Sequence, residues 1–252
     1  MRILVCFKIV RDLDNVIDSD WDSERDPSFR IDYTRKILND ADQGVLEAAL
    51  LISDREPGTE ITAVTVTDDD GASFFTGLFA AGIGNVVRIA PEEDLTLRPA
   101  ATAALLAQYA AETGPYDLIL FGAQAPPGDS RQVPYAAAEM LQLPAIDRVR
   151  ELMSSDGRIT AVRETDTSLE EYELLAPAAI IMENPVHSYL RLPTLRERMK
   201  ASGKKAELIQ RSAPALPDAE ILGFRPARIR RDGRMISPEE APDLLADILK
   251  EL

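Results

Sequence analysis

Asp117-Leu118-Ile119-Leu120-Phe121-Gly122-Ala123-Gln124-Ala125-Pro126-Pro127-Gly128-Asp129-Ser130-Arg131-Gln132-Val133 is the stretch whose reading decides the fold. Leu118 to Phe121 is a short, unbroken apolar run that ends at Gly122. Such runs read as strands buried on both faces, as in a parallel sheet. A loop rich in Gly and Pro follows. A helical pattern then begins near Ser130, with Ser130 or Asp129 as its cap, and runs over Gln132–Leu141 to a stop at Leu143-Pro144. Backbone N–H groups in such a loop, together with a helix N-terminus, suit an anion such as phosphate. Ligands of open α/β sheets also bind beyond the carboxyl ends of strands. From these residues alone, an ordinary strand–helix connection reads equally well.

The rhythm repeats on either side. Ile3–Phe7, Ile61–Thr67, Val86–Ile89 and Ala178–Met182 are short apolar runs, often β-branched. Between them lie helical patterns. Asp42–Ser53 sets Val45, Leu46, Ala49, Leu50 and Ile52 on one broad face, and Ala72–Ala81 and Arg98–Thr113 follow the same rule. Strands alternating with helices predict a doubly wound, mostly parallel α/β sheet of Rossmann-like type. Two regions break the pattern. Asp12 to Asp32 is acidic and polar, with Trp21 and Phe29 inside it, and reads as a hairpin or excursion. From about Lys204 the chain turns Pro-rich, carries Arg225, Arg228, Arg230, Arg231 and Arg234, and ends in an amphipathic helix over Glu239–Glu251. Ser237 would cap that helix, with Pro238 at its first position. The expected division is therefore an α/β domain over residues 1–203 and an arm over residues 204–252.

Composition excludes several function classes. Lys plus Arg is 28 and Asp plus Glu is 43, a formal charge of −15. A surface this acidic repels phosphate backbones and anionic lipid, so neither nucleic acid nor a membrane surface is the expected partner. No stretch of about 18 apolar residues offers a membrane span, and the N-terminus runs into a strand pattern without a leader, so the cytoplasm is the expected compartment. The single cysteine, Cys6, excludes an internal disulfide and any CxxC site.

Catalytic and nucleotide motifs fail on inspection. The run from Asp18 lacks the Gly and the terminal Glu of a calcium loop, with Ser23 and Phe29 in those places. Gly82-Ile83-Gly84 follows a helix rather than opening one, which suits a left-handed turn and not a dinucleotide fingerprint. Five residues separate Gly122 from Gly128, and Asp129 stands where a Walker motif needs Lys. His187 is the only histidine, and it reads as a loop or surface residue. No metal site and no catalytic side chain is expected.

At the Gly122 loop the chain resembles the beta (small) subunit of electron-transfer flavoproteins, the FixA-like family. The resemblance runs nearly end to end. It includes Arg2-Ile3-Leu4-Val5-Cys6-Phe7-Lys8, then Asn39-Asp40-Ala41-Asp42 followed by Val45-Leu46-Glu47-Ala48-Ala49, and Ala80-Ala81-Gly82-Ile83-Gly84. Gly122-Ala123-Gln124-Ala125 and Asp129-Ser130-Arg131-Gln132-Val133 resemble the family's Gly-Lys-Gln-Ala … Asp-x-x-Gln-Val/Thr-Gly signature. Pro177-Ala178-Ala179-Ile180, Leu192-Pro193 and Lys204-Lys205 complete the series.

This resemblance implies an electron carrier without catalytic side chains of its own, paired with an alpha subunit that holds FAD. The beta subunit would bind AMP, or a second FAD whose adenosine takes the same place. By position-matching, the nucleotide would touch Cys6, Asn39, Asp40, Ala41, Asp42, Val66, Gly122, Ala123, Gln124, Ala125, Pro126, Pro127, Gly128, Asp129, Ser130, Arg131, Gln132 and Val133. Leu192 would lie in the loop that docks on dehydrogenases, and the C-terminal arm would wrap the alpha subunit. Ala123 replaces the family's Lys, Pro134 its Gly, and Asp40-Ala41 its Pro-Phe. Two other readings stand beside this one: a stand-alone adenine-nucleotide-binding protein similar to universal stress proteins, and a scaffold subunit whose nucleotide site has decayed.

Overall fold

A computed structural model of the chain describes residues 1–16, 33–126 and 130–216, with residues 237, 240–242 and 244–245 near the C-terminus. The chain forms two compact units, Met1–Val16 with Ile31–Ile221, and Ile17–Arg30 with Leu222–Leu252. In chain order the first unit holds β1 (Arg2–Cys6), β2 (Ile9–Arg11), β3 (Lys36–Leu38), α1 (Asp40–Arg55), β4 (Glu60–Val66), α2 (Ala72–Ala81), β5 (Asn85–Pro91) and α3 (Pro99–Thr113). It continues through β6 (Leu118–Gly122), α4 (Gln132–Met140), β7 (Ala145–Ser155), β8 (Arg158–Glu164), β9 (Leu169–Leu174), β10 (Ala178–Met182), α5 (Leu195–Ala201) and β11 (Glu207–Arg211).

Nine of these strands form one sheet in the order β11-β5-β4-β1-β6-β10-β7-β8-β9. Every pairing from β11 to β7 is parallel. The β7-β8-β9 end is antiparallel. The expected doubly wound, mostly parallel α/β sheet is what the chain forms.

The core follows from the strand sequences. Along β1, Ile3 and Val5 face one side, where they meet Val45, Leu46 and Ala49 of α1 and Leu78 of α2. Leu4 and Cys6 face the other, against Leu105 and Tyr109 of α3 and Ala137 of α4. Both faces of β1 are buried, so its sequence is apolar throughout rather than alternating. Each fully buried Leu or Ile contributes roughly 1.5–3 kcal/mol relative to exposure. The helix ends obey local rules. Pro99 opens α3, where its missing N–H costs nothing. Gly82 closes α2 at φ 115°, the left-handed turn read from the sequence. Among the described residues no helix is long and apolar enough to cross a membrane.

Beyond these expectations, Glu207–Arg211 of the expected arm form β11, which pairs in parallel with β5. The β7-β8-β9 meander was not foreseen. Helix α4 starts at Gln132, as the helical pattern over Gln132–Leu141 has it, but its N-cap is Arg131, in the left-handed region and without a side-chain cap, rather than Ser130 or Asp129. The acidic run from Asp18 to Phe29 lies outside the described residues; β2 and β3 pair in antiparallel fashion on either side of it. In the second unit, Ser237 Oγ accepts from Glu240 N at 3.3 Å, the cap expected of Ser237.

Gly44 shows how tightly α1 is seated. A Cβ there would overlap the Pro185 ring and stand 2.6 Å from the His187 carbonyl oxygen. In an open helix, Gly→Ala gains up to about 1 kcal/mol. Here Gly44→Ala is expected to destabilise by about 1–3 kcal/mol, because both obstacles are backbone or ring atoms. Urea denaturation checks this, and a stabilised variant would refute the close approach.

Candidate functional site

The chain leaves β1 toward β4 and β5 on one side of the sheet, then crosses back to place β6 on the other. The strand order therefore reverses between β1 and β6, the switch point beyond whose carboxyl ends open α/β sheets bind ligands. Residues Phe7 and Lys8 follow β1 there, and the Gly122 loop follows β6. The first turn of α1 lies between them.

Hydrogen bonds lash these pieces together. Asn39, buried, donates its side-chain amide to the Gln124 carbonyl at 2.7 Å, and its backbone N–H bonds the Lys8 carbonyl at 2.9 Å. Lys8 Nζ donates to the Pro126 carbonyl at 2.9 Å. Ala123 N–H bonds the Met182 carbonyl at 2.9 Å. The loop is thus held from β1, α1 and β10 at once. Asn39 opens α1 without capping it through its side chain, because that side chain is spent on the loop. Asp40 and Asp42 in the first turn favour the helix through its dipole.

Asp42 is the buried carboxyl between these pieces. It accepts from the Lys8 amide at 2.8 Å, and the nearby Asn39 side chain and Gly122 amide also favour its charged form. Burial outweighs these partners and lifts its pKa to about 7. The same burial lowers Lys8, against the pull of Asp42. It also raises the Cys6 thiol well above its ordinary value, with the Asp42 charge adding to the effect. Cys6 is therefore held as an inert thiol. Gly122 faces Asp42 so closely that a Cβ would overlap Oδ1 and stand 3.2 Å from Ala41 backbone and side-chain carbons.

Beyond the loop is the start of α4. Arg131 sits at φ 55°, and its guanidinium pairs with Glu183 at 2.9 Å. With no side-chain cap on α4, the amides of Gln132 and Val133 have no partner within the helix. Pro134, the third residue of α4, is buried. It offers no N–H and breaks no helical bond there.

The structure thus places Cys6, Asn39, Asp40, Ala41, Asp42 and Gly122 to Pro126 at the carboxyl ends of β1 and β6 and the start of α1, with Val66 at the carboxyl end of the neighbouring β4. Ser130, Arg131, Gln132 and Val133 follow at the start of α4. Pro127, Gly128 and Asp129 lie outside the described residues. Leu192 is elsewhere, 88% exposed, on the segment after β10. Sequence reasoning left Lys8 out of the site, although a cation directly after the first strand was a usable signal. It also missed Glu183 and the ion pair of Glu47 with Arg191, which join residues far apart in sequence and have no local signature.

A mostly parallel sheet with a loop and an uncapped helix start at its switch point defines a doubly wound, Rossmann-like α/β domain. Comparison makes this specific. The family described as the electron transfer flavoprotein domain matches residues 30–213, and the chain belongs to it. YgcR of Escherichia coli K12, named for an electron transfer flavoprotein subunit, is 29% identical over 261 aligned positions, covering 100% of this chain and 98% of its own. The electron transfer flavoprotein subunit beta of Megasphaera elsdenii is 28% identical across 92% of this chain and 86% of its own. CarD of Acetobacterium woodii, named as a subunit of a caffeyl-CoA reductase–Etf complex, is 30% identical across 71% of this chain and 67% of its own. The chain is a beta-subunit-like member of an electron transfer family.

Proposed function

We propose that this chain is the beta subunit of an electron transfer flavoprotein, pairs with an FAD-containing alpha subunit, and holds AMP or a second FAD at the switch point between β1 and β6. The observation that carries the reading is the Gly122–Pro126 loop, bonded to Asn39, Lys8 and Met182 beside the uncapped start of α4. The residues present fit such a group. The Gln132 and Val133 amides would take a phosphate. Cys6, Val66 and Ala123 offer apolar contact, and Asn39 to Asp42 together with Gly122 to Val133 would form the walls. A flavin, when bound, supplies the redox chemistry; the chain's own side chains bind, orient and exclude water. The carrier is cytoplasmic on this reading. Leu192 docks a donor dehydrogenase, and the residues after 221, with their run of arginines, contact the alpha subunit.

The test is purification with and without a co-expressed electron transfer flavoprotein alpha subunit, reading absorbance near 450 nm and the extracted nucleotide. A heterodimer that releases AMP, or flavin that stays with this chain alone, is the expected result. A chain that pairs but yields no nucleotide is a scaffold with a decayed site, as Ala123 and Pro134 would produce. A monomer that binds and slowly hydrolyses ATP is the universal-stress-type alternative. Either result overturns the proposal.

A further inference from the structure

The segment between β10 and α5 exposes Tyr189 and Leu192, and α5 itself exposes Leu195 and Met199. Leu190, in the same run, turns inward and packs against the core. Apolar side chains held outward on a loop gain nothing from solvent, so something must fix the backbone against collapse onto the surface.

The fixing group is on α1. Glu47 is only 8% exposed, an uncommon place for a carboxylate. Its Oε2 accepts from the Arg191 backbone N–H at 2.9 Å. Its two oxygens also take the Arg191 guanidinium, at 2.8 Å from a terminal nitrogen and 3.0 and 3.1 Å from Nε. The same guanidinium reaches Asp54, about two turns further along α1 and well exposed, at 2.8 Å. A carboxylate that grips both the backbone and the planar fork of one residue fixes its φ and its side-chain direction together. Leu192 is the next residue, and Pro193 follows it. Thr194 then opens α5 through a capping box with Glu197. On the other side of Arg191, Gly44 lets Pro185 and His187 lie directly against α1. Leu192 is therefore held from both directions.

We infer that Glu47 is the positioning residue of the docking surface: its clasp on Arg191 holds Leu192, and with it Tyr189, in a preformed outward arrangement that a redox partner with an apolar pocket can meet. This rests on the reading of Leu192 as a docking residue. Preformed order lowers the entropy lost on association. Glu47 itself touches neither partner nor nucleotide.

The test uses the full chain in its heterodimer. A nitroxide is attached to Leu192→Cys; the single native cysteine, Cys6, is buried and stays unlabelled. The parent gives a motionally restricted spectrum. Glu47→Gln sharpens it and speeds amide exchange of residues 189–192 at least tenfold, with β10 amides unchanged. Asp54→Asn, which leaves the Glu47 clasp intact, keeps the parent spectrum. Arg191→Lys keeps the charge but removes the fork; it gives a milder change in the same direction and serves if Glu47→Gln folds poorly. Spectra of both Glu47→Gln and Arg191→Lys that superimpose on the parent overturn the inference. The docking reading is tested apart from it, with an acyl-CoA dehydrogenase reduced by its substrate as electron donor. Unlabelled Leu192→Asp raises KM severalfold, and Glu47→Gln raises KM with kcat unchanged. An unchanged KM in Leu192→Asp overturns the docking reading while the spin label still reports the clasp.

Discussion

Gly122→Ala is expected to strip the chain of bound adenine nucleotide and to lower its thermal midpoint by roughly 5–15 °C, the equivalent of about 2–5 kcal/mol in a unit of this size. The added methyl would overlap Asp42 Oδ1 and press on Ala41. Asp42 cannot step aside without cost, because its carboxyl accepts from the Lys8 amide and lies buried. Overpacking of this kind costs about 1–3 kcal/mol. A lost hydrogen bond to a carboxylate adds about 1.5–3 kcal/mol. The damage falls on the junction from which the loop leaves β6, so the geometry of Ala123 to Pro126 goes with it. A double-mutant cycle isolates the cause. On an Asp42→Ala background the obstructing oxygen is absent, and Gly122→Ala should then cost much less. Equal costs on both backgrounds would mean that the contact with Asp42 is not what excludes a side chain.

The parallel half of the sheet was legible because each strand there is buried on both faces. Leu118 to Phe121 and Ala178 to Met182 carry no polar residue to confuse the period. The meander was missed for the opposite reason. Glu170, Glu171 and Glu173 make β9 an exposed, charged edge, and Asp147, Arg148 and Arg150 interrupt the apolar pattern of β7. One signal was available. Asp156-Gly157, both at positive φ, is a two-residue turn of the kind that closes hairpins, between runs with apolar residues at Leu152, Ile159 and Ala161. Strand β11 escaped because Glu207 to Arg211 is a polar edge strand whose only partner, β5, lies more than a hundred residues earlier.

The position of the candidate site was legible, and its internal wiring was not. Gly, Pro and a following helical pattern locate a loop at the end of β6. That Asn39 would bond the Gln124 carbonyl, or Lys8 the Pro126 carbonyl, depends on β1 and β6 being neighbours, and strand order is a property of the whole chain. The cap of α4 differs for a local reason. Ser130 and Asp129 are better caps than Arg131 by propensity. Arg131 takes the left-handed backbone instead, with its guanidinium tied to Glu183. That interaction joins the loop to the segment after β10, again across the sheet.

Asp42→Asn is expected to remove a pH dependence of stability that the parent shows between about pH 4 and pH 7. The carboxyl titrates at 3.8 when free and at about 7 in the folded chain, chiefly because burial penalises its charge. Between those values the folded state holds a proton that the unfolded state has released. Stability therefore falls as pH rises through this window and levels off above pH 7. A change from 3.8 to about 7 corresponds to about 4 kcal/mol. Asparagine resembles the protonated acid: neutral, still able to accept from the Lys8 amide, and indifferent to pH. The parent should therefore have its greatest advantage over Asp42→Asn near pH 4.5 and lose it steadily toward pH 7.5. Urea denaturation of both proteins across pH 4.5 to 8.5 measures this, because the other titrating groups are common to the two and cancel in the difference. Lys8 reinforces the direction. Its own pKa is lowered by burial, so it supplies less countercharge to an ionised Asp42 than an exposed lysine would. A difference between the two proteins that stays flat over the whole range would show that Asp42 ionises normally. The site would then be wet rather than dry, and the electrostatic account of how Lys8, Asp42 and Gly122 hold the loop would fail.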